Sequence, residues 1–168
     1  LDAVFYVLAQ FAGGLIGLLV ASLAIGMAIE HPAVNYVVTV PGLDGAGVAF
    51  AAEACISFGL MLAVLIVSNH QRLNVWTGVF AGALVAMYIA IEAPFSGMSM
   101  NPARSFASAL PANLWTDLWV YLTAPLLGML LAAECYMRFP GARRVHCAKL
   151  HHGNDQRCIF FCSYHGVN

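Results

Sequence analysis

Met98-Ser99-Met100-Asn101-Pro102-Ala103-Arg104-Ser105-Phe106-Ala107-Ser108-Ala109-Leu110-Pro111 reads as a short helix set among apolar segments of membrane length. Asn101 is a favoured N-cap, and Pro102 stands at the first helical position, where its missing N–H costs nothing. Pro111 predicts a stop after little more than two turns, giving a half-helix over 102–110. At about 1.5 Å per residue such a helix covers roughly half of a ~30 Å hydrocarbon core. A helix that begins at mid-membrane leaves its first N–H groups without intrahelical partners. That is tolerated only where they face protein or a water-filled path, so this N-terminus is expected to line a pore.

The rest of the chain fits that setting. Of 168 residues, 61% are hydrophobic and only 9% charged, whereas soluble domains are nearly half apolar and about a quarter charged. The chain is therefore expected to be an integral membrane protein whose first partner is the lipid bilayer. A net charge of −1 offers no basic field for nucleic acid, so none is expected as a partner. No P-loop, Gly-x-Ser-x-Gly elbow or His-Glu-x-x-His helix is present, so the sequence does not read as an enzyme. It starts at Leu1 and enters an apolar span almost at once, which reads as a fragment.

Four spans are expected, at about 3–29, 48–68, 75–91 and 118–137. In the first, Gly13, Gly14 and Gly17 make a small-residue surface for close helix approach, and Gln10 is expected to hydrogen-bond a neighbouring helix or re-entrant loop. The connection that follows contains His31-Pro32-Ala33, a degenerate copy of the Asn-Pro-Ala tripeptide. Val34 to Val40 is β-prone rather than helical, so this copy reads as surface loop. The second span holds Glu53, whose burial in lipid would be expensive, so it must face protein or water. The third is expected to end at Glu92-Ala93-Pro94. Arg72, Arg138, Arg143, Arg144, Lys149 and Arg157 fall on one side of this arrangement, which is then cytoplasmic. Arg104 is the only basic residue outside that set, and an isolated Arg at membrane depth is a functional-site hypothesis by default.

Asn101-Pro102-Ala103 followed directly by Arg104, opening a half-helix between a long apolar segment and one last span with a basic tail, resembles the second Asn-Pro-Ala box of the aquaporin and glycerol-facilitator (major intrinsic protein) family. The resemblance covers about residues 1–140. It implies an all-α, aquaporin-like membrane domain of four transmembrane helices and one re-entrant half-helix, equivalent to the family's third to sixth spans, with the first two spans and first half-helix absent. It implies a homotetramer in the plasma (cytoplasmic) membrane with its C-terminus in the cytoplasm. It places Asn101, Pro102, Ala103 and Arg104 at the pore, Met98 beside them in the re-entrant loop, and Ile89 at a filter position where water-selective members usually carry His. Glu53 matches the family's buried Glu, whose carboxylate supports the pore loop from Met98 to Asn101, and the family also has Gln near Gln10.

The chemistry expected of this box is passive. Asn101 as N-cap accepts a helix N–H through its side-chain oxygen, leaving its amide N–H₂ free to donate to a solute oxygen. The half-helix dipole and the Arg104 charge oppose cations and protons but not neutral polar molecules. The expected function is a channel for water or small neutral, glycerol-like solutes that excludes ions and protons. Ser105 resembles water-type members, while Ile89 and Leu122 lean towards wider ones. Half a pore leaves the Asn101 donors unmatched, so these 168 residues alone are expected to form no selective channel.

The tail, residues 141–168, forms a separate Cys/His-rich segment. No cofactor is expected for the membrane domain, but Cys147, Cys158 and Cys162 with a His such as His151 could supply four zinc ligands. Their spacing matches no standard finger. The alternative function is thus a non-conducting membrane protein whose tail senses metal or redox state.

Overall fold

The structure is a computed structural model and describes residues 2–70 and 72–138. It is helical, with no strand among the described residues: α1 (Asp2–Ile25), α2 (Gly45–Ser68), α3 (Thr77–Ser96), α4 (Pro102–Ala112) and α5 (Leu118–Arg138). Short 3-10 turns at Gly26–Glu30, Asn35–Val37 and Asn74–Trp76 join them. Among the described residues, four segments are long and apolar enough to cross a membrane: Ala3–Glu30, Gly45–Ser68, Asn74–Ser96 and Leu118–Arg138. The short helix α4 is the re-entrant element. Large apolar side chains such as Leu8, Leu19 and Leu130 remain exposed, as they do on helices that face lipid.

Small residues set the packing. Ala49 meets Val120 and Tyr121 in one buried cluster. Further along, Gly128 of α5 lies against the backbone of α2, where an added Cβ would overlap the Ala54 carbonyl. These contacts occur in the same chain order, so α2 and α5 run parallel and close, as small-residue faces allow. Helix α3 runs antiparallel to α2: Ser96 lies opposite Glu53 and Tyr88 opposite Gly59. Helix α1 supports the half-helix, with Gly14 against the backbone of Ala103 and the Phe11 and Phe106 rings 5.5 Å apart.

Two helix ends differ from the sequence reading. Helix α3 runs through Pro94 to Ser96 and is capped by Gly97 at φ 76°. Pro94 removes only its own N–H bond to the preceding turn, and glycine adopts the left-handed cap without penalty. Helix α4 likewise passes Pro111 to Ala112 and ends where Asn113 turns left-handed at φ 47°. The β-prone stretch Val34 to Val40 forms a 3-10 turn followed by extended chain, pairing with no strand among the described residues.

Candidate functional site

The site is built around the start of α4. Asn101 is extended, and its Oδ1 accepts from the Ala103 N–H at 3.1 Å and the Arg104 N–H at 3.2 Å. Pro102, at the first helical position, has no N–H to satisfy. Because the cap uses only the amide oxygen, the Asn101 N–H₂ remains a donor on an exposed side chain.

The loop leading into the cap is held from behind. Both Met98 (φ 49°) and Met100 (φ 52°) are left-handed, a conformation non-glycine residues keep only where their surroundings impose it. The Glu53 carboxylate supplies much of that constraint. Its Oε1 accepts from Ser96 Oγ at 2.7 Å and Ser99 N–H at 2.6 Å, and its Oε2 accepts from Met100 N–H at 2.7 Å. Tyr121 of α5 donates to the Ser96 carbonyl at 2.5 Å. Glu53, Ser96 and Tyr121 are completely buried, so each bond replaces one that water cannot make.

A chain of hydroxyls joins the loop to the connection between α1 and α2. Thr39 Oγ1 lies 2.7 Å from Ser105 Oγ, which lies 2.5 Å from Ser99 Oγ. Ser99 Oγ also lies 3.1 Å from the Asn101 carbonyl, to which it can only donate. With the Ser99 proton there, Ser105 donates to Ser99 and Thr39 donates to Ser105. All three hydroxyl residues are buried. The chain is anchored again where the Gly42 N–H donates to the Phe95 carbonyl at 2.8 Å and where Val40 abuts Gly97.

In front of the loop lies an open cavity of about 560 Å³. Met98, Asn101, Arg104 and Ile89 line it together, joined by Val37 and Val85. Arg104 Nη1 donates to the Met98 carbonyl at 3.2 Å, which fixes one face of the guanidinium and leaves other donors for a solute. Ala103 is buried in the first turn against α1, and Pro102 is half-buried beside it. The structure does not bring Gln10 to this cluster: it lies exposed on α1. Cys147, Cys158, Cys162 and His151 lie outside the described residues, and the described residues contain no group of three or more His, Cys, Asp or Glu able to hold a metal. Sequence reasoning missed Thr39, Ser96, Tyr121 and Val37. The only available signal was the run of small hydroxyl residues flanking Met98, since Thr39 and Tyr121 reach the site from distant parts of the chain.

Residues 1–136 match the family model described as Major intrinsic protein. The chain belongs to the major intrinsic protein family. It is 42% identical over 110 residues to Aquaporin NIP6-1 of Arabidopsis thaliana, a match covering 65% of this chain and 36% of that protein. It is 34% identical over 142 residues to Glycerol uptake facilitator protein-like 6 of Lactiplantibacillus plantarum, covering 80% and 63% respectively. With Probable aquaporin TIP2-2 of Oryza sativa subsp. japonica it shares 32% identity over 141 residues, 81% of this chain and 53% of the relative. The chain thus spans between about a third and two-thirds of the length of these relatives. Major intrinsic proteins are membrane channels rather than enzymes, and this chain is an integral membrane member of that family.

Proposed function

We propose that the chain forms part of a passive channel for water and small neutral solutes, and that the cavity before α4 is one mouth of its path. The observation that carries this reading is the Asn101 cap: its amide oxygen is occupied by two helix N–H groups, which leaves its N–H₂ to donate, and Asn101 lines an open cavity together with Arg104. A neutral molecule with an oxygen acceptor can be handed between these donors. A cation meets the Arg104 charge and the positive end of the half-helix at the same place. Met98 and Ile89 supply the apolar part of the wall, Pro102 and Ala103 seat the half-helix, and Glu53 holds the loop that carries Met98 and Asn101. With Ile89 where water-selective members usually have His, the mouth suits small linear solutes such as glycerol as well as water. In this reading the domain spans residues 1–140, the residues after the last span are cytoplasmic, and the assembly is a homotetramer in the plasma membrane.

The test is Arg104→Val in the full-length protein reconstituted into vesicles. Proton and cation leakage should rise about tenfold or more, because the full charge beside the half-helix is gone, while water flux persists. Unchanged ion exclusion would show that the barrier lies elsewhere.

A further inference from the structure

The turn Asn35–Val37 is the most unusual backbone in the described residues. Three consecutive non-glycine residues are left-handed, at φ 39°, 54° and 51°, and the last is β-branched Val37. For a β-branched residue this is a true outlier, which persists only where neighbours over-determine it. Here the neighbours act from both sides. Immediately after the turn, Thr39 is buried against Ser105, Val40 lies on Gly97, and Gly42 is tied to Phe95. Before it, the Asn35 N–H donates to the His31 carbonyl at 2.8 Å, and the Tyr36 phenol faces the Glu30 side chain. Partial burial and then that carboxylate raise the Tyr36 pKa above its ordinary 10.0. The turn is thus clamped on both sides and set against the half-helix. Its one apolar side chain, Val37, is left 57% exposed and lines the same cavity as Ile89, Met98 and Arg104.

We propose that Val37 is a specificity-determining residue of the channel: a further apolar wall of the mouth, contributed by the connection between α1 and α2 and held at the Arg104 donors by the left-handed turn. This inference rests on the channel reading above. An apolar wall beside a charged donor favours solutes that present oxygen on one edge and C–H on the other. The width of the mouth then depends on the size of residue 37 as well as on Ile89.

The experiment uses full-length protein in vesicles, with water and glycerol permeabilities measured by light scattering at equal protein density. Val37→Gly is the widening variant, because glycine adopts φ near 51° freely and so keeps the turn. It should raise the ratio of glycerol to water permeability by roughly tenfold, the low end of what a missing methylene is worth in a closed pocket. Val37→Trp should lower the ratio below the wild-type value. Val34→Ala, on the same connection but outside the cavity lining, should leave it unchanged. A role confined to folding would alter both permeabilities together and leave their ratio alone. Wild-type vesicles that conduct, with an unchanged ratio in Val37→Gly and Val37→Trp, would overturn this inference and spare the channel reading. Wild-type vesicles that pass neither molecule would overturn both.

Discussion

Glu53 on α2 and Glu92 on α3 are buried in the same seam, 0% and 6% exposed, yet their surroundings differ completely. Glu53 accepts three hydrogen bonds, two of them from the backbone of the re-entrant loop. Neither oxygen of Glu92 has a partner among the described residues. Ser96 is near both carboxyl groups, but it gives its proton to Glu53 and accepts from Met98 N–H at 3.0 Å, so no bond to Glu92 is completed. Ser57 on α2 also carries a buried hydroxyl with no partner among the described residues. Identical chemistry one helix apart therefore does opposite things: one carboxyl group organises a loop, and the other is a cost that the fold carries. What separates them is the supply of donors: two loop N–H groups and the Ser96 hydroxyl at the end of α3 all go to Glu53.

The largest expected effect is from Glu53→Ala. It leaves the Ser99 and Met100 N–H groups buried without acceptors and removes charge-assisted bonds, a loss of about 3–5 kcal/mol. Unfolding by denaturing detergent in mixed micelles should show that loss, and water flux through the full-length protein should collapse with it. A variant of nearly wild-type stability would mean that the left-handed Met98 and Met100 hold themselves.

Tyr121→Phe should have an intermediate effect. Tyr121 reaches the seam from α5 and fixes Ser96 through its carbonyl, so it acts on Glu53 at one remove. Losing that bond leaves one buried carbonyl short of a donor, at roughly 1–2 kcal/mol in the same unfolding measurement. The expected value lies between those of the two carboxyl variants. A change as large as that of Glu53→Ala would place the organising contact at Ser96 rather than at Glu53.

How much of this was legible in the sequence depends on how local the physics is. The half-helix was, because Asn101 and Pro102 carry the cap and the first turn in two adjacent residues. The four spans were, since twenty or so apolar residues answer a single solvent constraint. The position of Glu53 among protein groups followed from the cost of a carboxylate in lipid. The end of α3 was not legible: Pro94 looks like a stop, but its missing N–H costs only one bond in a last turn that Gly97 then closes. The Thr39 to Ser105 contact was not either, because 66 residues separate the partners and nothing in either neighbourhood marks the pairing. Nor could the fate of Glu92 be read, since it turns on which of two nearby carboxyl groups receives one serine proton.

The smallest expected effect, and the one that tests the comparison most directly, is that of Glu92→Gln. If the carboxyl group has no partner, exchanging it for an amide gives up no hydrogen bond and keeps the side-chain volume in the seam. A carboxyl group that makes no hydrogen bond has no bond energy to lose, so the variant should lie within about 1 kcal/mol of the wild-type stability. Water flux should be unaffected, because Glu92 does not line the cavity before α4. The informative control is the double variant with Glu53→Ala: if Glu92 makes no bond that holds the loop, the effects of the two changes should add. A loss from Glu92→Gln comparable with that from Glu53→Ala would mean that Glu92 also has donors, and the contrast between the two carboxyl groups would fall.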